Sequence, residues 1–349
     1  MTSSPFTGAV APPAGSPDPG VAWHYGDPPR EQRSLVAGEA VVDLSNRGVV
    51  TVTGPDRLTW LNDLTTQRVD LLQPGDSALT LILSPHGHVE HELHVIDDGT
   101  AAWIITQPGT ATALVDYLCS MQFLLRVEVA DVSDEFAVVW EPRLDVDPQL
   151  PTWVEPMDFA GTGRVDAGVD RGGDSSKYVR ERSQAFAGRE VVVSREQQQQ
   201  ARLANSEGLA GTWALEALRV AAAVPRAGLE TDHRTLPHEV GWIGPGVHLA
   251  KGCYRGQEAV ARVHNLGHPP RRLVLLHLDG SEERLPAHGD RVDVDGRDVG
   301  FVGTAARHYE LGPIATAVIK RSVPVDATLV VQAADGEVAA TQEVVVVAD

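Results

Sequence analysis

Short apolar runs separated by polar turns dominate the chain, and their period changes along its length. Val49-Val50-Thr51-Val52 reads as a strand, and Thr53-Gly54-Pro55-Asp56 reads as a helix start with Leu58, Leu61 and Leu64 along one face. Leu79 to Leu83 predicts the next strand. Ser84-Pro85-His86-Gly87 predicts a turn, and Val89 to Ile96 a returning hairpin strand. Ala101 to Thr106 follows as a strand, Pro108 to Met121 as a helix and Phe123 to Val129 as a strand. This order suggests a split βαβ unit with extra strands.

The middle of the chain is less periodic. Glu141 to Asp174 is acidic and rich in Pro and Gly, as expected of a loop-heavy connection, and Ser194 to Ala204 reads as a polar exposed helix. Thr212 is placed to cap a helix whose Leu215, Leu218 and Ala222 share a face, with Arg219 beside them. Beyond His268-Pro269-Pro270 the pattern becomes short strands: Arg272 to Leu278, Arg291 to Val294, Val299 to Val302, Ile314 to Ile319, Ala327 to Gln332 and Val344 to Val347. That spacing predicts a small antiparallel barrel. Residues 1–30 hold seven prolines and no Lys or Arg before Arg30, which suggests a disordered or extended tail. The expected organisation is therefore a tail (1–30), an N-terminal split βαβ domain (31–135), a central α+β domain (136–268) and a C-terminal β-barrel domain (269–349).

Composition narrows the function. A formal charge of −19 argues against a nucleic-acid backbone as direct partner. No apolar run reaches the ~20 residues of a membrane helix. Two distant cysteines, Cys119 and Cys253, and an N-terminus without signal-peptide regions fit a reducing cytoplasmic setting.

One stretch concentrates chemistry: Lys251-Gly252-Cys253-Tyr254-Arg255-Gly256-Gln257-Glu258. It carries one of three lysines and one of two cysteines, and two glycines bracket its core. Gln257 to Val263 reads as a helix start, which places Cys253 just before a helix N-terminus with Lys251 and Arg255 on either side. Each feature favours a thiolate, whereas the plainer reading is a small apolar Cys in a Gly-rich loop. His86, His88, His91 and His94 invite a metal reading. However, strand alternation puts His91 on one face and His88 and His94 on the other, too far apart for one ion. No Lys-Ser/Thr phosphate loop and no Gly-x-Ser-x-Gly elbow occurs.

The stretch Lys251 to Glu258 resembles the signature of the YgfZ family of folate-binding proteins, relatives of the glycine-cleavage T-protein (aminomethyltransferase). Leu218-Arg219, Pro225-Arg226, Gly228 and Thr231-Asp232 resemble the family's segment before that signature, as do Leu236-Pro237-His238-Glu239 and Gly241-Trp242. Val260-Ala261-Arg262, Arg271-Arg272-Leu273, Val52 to Asp56 and Trp60-Leu61-Asn62 extend the resemblance from about residue 34 to the end. It implies an α+β fold: a three-domain T-protein-like cloverleaf with ferredoxin-like N-terminal and central domains and an antiparallel β-barrel. It also implies tetrahydrofolate as cofactor, and support of iron–sulfur client enzymes, some of them acting in tRNA modification.

For the site, the resemblance implies Cys253 and Lys251 as chemical residues. A folate site needs an apolar slot for the ring, a carboxylate for the pterin and cations for the glutamate tail. Glu239 or Glu258 suits the pterin; Arg219, Arg226 or Arg262 suits the tail; Trp242 and Tyr254 are stacking or core aromatics; Gln257 completes the cluster. Two departures stand out. His91-Glu92 falls where T-proteins carry an acidic pair, and Val220-Ala221 follows Leu218-Arg219 where the family commonly has Glu. A tetrahydrofolate-dependent one-carbon transferase and a folate-free protein-binding scaffold are the alternative functions.

Overall fold

The structure, a computed structural model, describes residues 8–156, 178–180, 186–195, 203, 208–281 and 284–348. Contacts divide the chain into two units. The first comprises Met1–Thr80, His91–Pro156 and Ala187–Leu215; the second comprises Leu81–Glu90, Met157–Phe186 and Glu216–Asp349.

One five-stranded sheet runs in the order Ser77–Leu83, Val89–Asp97, Ala101–Thr106, Gly48–Thr53 and Glu128–Asp131. The hairpin joining its first two strands has its tip, Leu81–Glu90, in the second unit. Gly48–Thr53 pairs antiparallel with Ala101–Thr106 along its whole length, so strands read from β-branched runs lie at the centre of the sheet. Helix Arg57–Leu64 begins after Asp56 and buries Trp60, Leu61 and Leu64; helix Ala111–Ser120 buries Ala111, Leu114 and Leu118.

The strand expected over Phe123 to Val129 is instead a turn followed by a strand at Glu128–Asp131. Gln122 donates its side-chain amide to the Val127 carbonyl, and Arg126 donates backbone and guanidinium N–H groups to Asp56. These local bonds close the loop, hold Phe123 at φ 46° and leave Phe123 and Leu124 exposed.

The other sheet of the first unit orders Leu209–Ala210, Val41–Asp43, Phe136–Glu141, Arg189–Ser194 and Thr152–Val154. Ala137, Val139, Val191, Val193 and Leu203 form one of its apolar clusters. The proline-rich start is an ordered arm from residue 8 onward. Val10 bridges His24, Thr212 donates to the Ala22 carbonyl at 3.0 Å, and Trp23 packs on Trp213. Val21 and Ala22 are buried, so this composition does contribute to a core. Helix Pro28–Val36 then begins inside the stretch expected to be a tail. Asp27 caps it by accepting from Arg30 N, with Pro in its first turn. Most of the helix expected at Ser194 to Ala204, and the connection beyond residue 156, lies outside the described residues.

In the second unit, six antiparallel strands close a barrel in the order Arg271–Leu278, Gly312–Lys320, Arg297–His308, Arg291–Val294, Leu329–Ala333 and Gly336–Val344. Val274, Leu276, Val302, Ala317 and Ile319 fill it. The barrel's last strand, Gly336–Val344, carries little strand signal, because Val338 and Ala340 are its only buried side chains and Glu337, Ala339 and Thr341 are exposed. Val346–Ala348 leaves the barrel and pairs with Tyr178–Arg180.

Candidate functional site

In the second unit the Cys253 loop is built on two glycines. Helix Gln257–Leu266 starts as read, with Gly256 at its N-cap and φ 85°. A Cβ on Gly256 would lie 2.6 Å from the Ser84 carbonyl oxygen, and one on Gly87 (φ 80°) would lie 2.8 Å from Ala259 Cβ. The turn Ser84–Gly87 therefore seats directly on the helix start, backbone against backbone. Val89 N donates to the Thr235 carbonyl at 2.9 Å, and Arg255 pairs with Glu90 at 3.0 Å. The side-chain amide of Gln257 donates to the carbonyls of Lys251 and Gly252, both at 3.3 Å, which closes the loop over itself. Cys253 is exposed at its apex, and the Lys251 ammonium lies 5.4 Å from the ring centre of buried Tyr254. Burial pushes the Tyr254 phenol well above its usual range. Glu258 and Arg262 are exposed on the helix.

Four of the expected folate contacts have other duties. Arg219 uses every N–H it has: Nε and Nη2 donate to Glu216, Nη1 to Glu230 and the Val224 carbonyl, and Nη2 also to Thr304. Glu216 and Glu230 hold this guanidinium charged against the cost of its burial. Arg226 is buried, and its side chain pairs with Glu216 at 3.4 Å. Glu239 is fully buried, accepts from Leu236 N at 3.0 Å in a capping box, and is paired by Arg271 at 2.8 and 3.0 Å. Trp242, also fully buried, is a core aromatic. Arg219, Arg226 and Glu239 are thus hydrogen-bonded within the protein, whereas the buried indole Nε1 of Trp242 has no partner among the described residues. Arg271, at the start of the first barrel strand, is the cation that the sequence reading did not assign.

The first unit holds a denser arrangement. Three of its strands bring together Glu92 and His94 (Val89–Asp97), Trp153 (Thr152–Val154) and Glu190 (Arg189–Ser194). His94 Nδ1 lies 2.7 Å from Glu190 Oε2, and Nε2 lies 3.6 Å from Glu92 Oε1. The imidazole stacks on Trp153 with ring centres 3.7 Å apart and planes within 6°. Gln107 donates to Glu92 at 3.0 Å, and Arg47 stands 3.9 Å from Glu190. Two buried donors are left over: the indole Nε1 of Trp153 and the Nε of Arg47 have no hydrogen-bond partner among the described residues. The metal reading of the histidines finds no geometry here. Among the described residues, no group of three or more His, Cys, Asp or Glu is arranged to hold an ion.

Burial alone would lower the His94 pKa, but the two carboxylates override it and raise it to about 9. The folded chain thus holds more protons than the unfolded chain between about pH 6.5 and 9. Stability contributed by this group is complete below the ordinary histidine value and is lost as the pH rises through about 9. We expect the melting temperature to fall by several degrees between pH 7 and pH 9 in wild type and to stay flat in His94→Gln. Equal slopes for the two proteins in a calorimetric pH series would contradict this.

Residues 23–140 match the GCVT N-terminal domain. Proteins similar in sequence to this chain include aminomethyltransferases. Arg47, Glu92, His94 and Gln107 all fall within the matched segment. An aminomethyltransferase of Geobacillus kaustophilus is 28% identical over 84% of this chain and 83% of its own length. A chloroplastic protein of Arabidopsis thaliana named as a transferase is 25% identical over 79% of this chain, which spans 65% of that protein's length. A mitochondrial iron-sulfur cluster assembly factor IBA57 homolog of Aspergillus fumigatus is 24% identical over 71% of this chain and 59% of its own length. The crystal structure of glycine cleavage system aminomethyltransferase T from Bartonella henselae superposes with a TM-score of 0.71, covering 98% of this chain and 93% of that one at 16% identity. The fold is therefore the T-protein fold, α+β with a closed antiparallel C-terminal barrel, as the sequence led us to expect. No helix among the described residues is long and apolar enough to cross a membrane.

Proposed function

We propose that this chain is a folate-binding accessory protein of the YgfZ type, supporting assembly or maintenance of iron–sulfur enzymes. In this reading the pterin ring is held by the Glu92–Glu190–Trp153 cluster rather than by the signature residues. The carrying observation is a flat ring stacked on Trp153 between two buried carboxylates, with the Arg47 Nε–H left unpaired beside them. A pterin offers amide and amino donors for the buried carboxylates and a ring acceptor for the Arg47 Nε–H, on a flat apolar body that stacks on the Trp153 indole. The residues present fit the group. When bound, tetrahydrofolate would supply a nitrogen pair able to carry a one-carbon unit.

The accessory role rests on two further points. Relatives include a protein named as an iron-sulfur cluster assembly factor. The exposed Cys253 on its fixed loop gives the chain an accessible thiol that folate binding does not need. One thiol does not complete a cluster's ligand set, so this reading makes Cys253 a partner-facing reactive group rather than a cluster carrier. The transferase alternative is weakened because Glu92 already accepts from Gln107 and faces His94, which leaves no free acidic pair at that position.

The test is calorimetric titration of tetrahydrofolate. Wild type and Cys253→Ala should bind alike, and Glu190→Gln should bind about tenfold or more weakly, as expected for loss of a charged acceptor. No binding to wild type would end the folate reading and favour the folate-free scaffold. Methylene-tetrahydrofolate formed from an aminomethyl donor would favour the transferase.

A further inference from the structure

We infer that His94 is the resident occupant of the ring site, so that a flat ring ligand and the imidazole take the place on Trp153 by turns. This rests on the folate reading above and concerns how that site is controlled. The argument is first one of thickness. A ring-centre separation of 3.7 Å at 6° is a single van der Waals layer, so no second ring fits between His94 and Trp153. A ligand stacking on that face has to displace His94. The second argument is chemical mimicry. The imidazole is flat and offers an N–H to a carboxylate on each side, Glu190 at Nδ1 and Glu92 at Nε2. Those are the acceptors that the ligand's donor edge requires. The leftover Arg47 donor is the part of the site that His94, with no acceptor to offer when protonated, leaves unsatisfied.

The exchange has a proton balance. In place, His94 is held protonated by Glu190 and Glu92, with Arg47 behind Glu190 as the opposing charge. Displaced into water it returns to the ordinary histidine range and releases its proton between about pH 6.5 and 9. Ligand binding is therefore weakest at low pH and strengthens as the pH rises through that window. Glu190 and Glu92 also face an incoming ring, so the diagnostic quantity is the ratio between wild type and a variant lacking only the imidazole.

The experiment is titration of 5-formyltetrahydrofolate into the full chain at pH 6.5, 7, 8 and 9, for wild type and His94→Gln. We expect wild-type affinity relative to the variant to rise about tenfold per pH unit between 7 and 9, with the variant at least tenfold tighter at pH 7. Equal affinities with parallel pH profiles would overturn the exchange while leaving the folate reading intact. Absence of binding to either protein at every pH would overturn both. Should His94→Gln not fold, histidine NMR of wild type decides the matter. The His94 ring, protonated at pH 8 without ligand, should titrate in the ordinary histidine range once ligand saturates the site, and an unchanged titration overturns the proposal.

Discussion

Glu230→Ala is expected to destabilise the chain by about 3–5 kcal/mol, the largest effect of any single substitution considered. The Glu230 side chain is completely buried and accepts from four residues: Arg219 through Nη1 at 3.0 Å and Nη2 at 3.5 Å, Arg226 N at 2.8 Å, and the hydroxyls of Thr304 and Thr316 at 2.7 and 2.5 Å. Two of those residues lie on barrel strands and two on the segment before the barrel, so one carboxylate fastens both parts of the second unit. Gly303 makes room for it, since a Cβ there would stand 2.8 Å from Glu230 Oε1. Truncation to Ala leaves the Arg219 charge half-paired, takes the carboxylate acceptor from two hydroxyls and opens a cavity, and each of these carries its own penalty. Glu230→Gln keeps the volume and two acceptor lone pairs and should cost markedly less. Urea unfolding of the three proteins tests this, and a loss below about 1 kcal/mol for Glu230→Ala would show that water replaces the carboxylate. Arg219 belongs to the same network. Its substitution is therefore expected to lower stability before it lowers ligand affinity, the reverse of what a tail contact would do.

The difference between Arg219 as read and Arg219 as found marks the limit of the sequence. An arginine near a folate signature and an arginine in a buried ion pair look alike in one dimension. What distinguishes them here is the arrival of Glu230, Thr304 and Thr316 in space. The fold was more legible. Strands at Val49–Val52, Ala101–Thr106 and Arg291–Val294, and the helix from Gln257, declare themselves through period, turn residues and a glycine cap. Alternation misled where a strand is covered on both sides. Glu92 and His94 alternate with Leu93 and Val95 as a solvent-facing row would. Yet their strand lies between two neighbours and is buried from Glu92 to Asp97. A weak signal was available in Glu190, a lone carboxylate followed by Val191-Val192-Val193, because a charge inside an apolar strand asks for a buried partner. Nothing local to that strand, however, names His94 as the partner, 96 residues away.

Gly256→Ala should cost about 2–4 kcal/mol, and it should do so at the Cys253 loop. Two penalties combine. A side chain at φ 85° brings the left-handed backbone cost, and its Cβ lies 2.6 Å from the Ser84 carbonyl oxygen and 3.1 Å from Gly87 Cα. None of those atoms is the movable end of a side chain, so either the hairpin turn or the helix start has to shift. Either shift releases the apposition that carries Arg255 onto Glu90 and Gln257 onto the loop carbonyls. Gly252 supplies the matched control four residues away. It has no positive φ, and nothing lies within 4 Å of a Cβ built on it, so Gly252→Ala should stay within about 0.5 kcal/mol of wild type. The pair separates a loop that is merely glycine-rich from one fixed for a purpose. Thiol-labelling kinetics of Cys253 should be unchanged in Gly252→Ala and altered in Gly256→Ala under conditions where both remain folded. Identical labelling and identical unfolding midpoints for the two variants would mean that the glycine apposition does not position the thiol. The role assigned to Cys253 would then lose its structural basis.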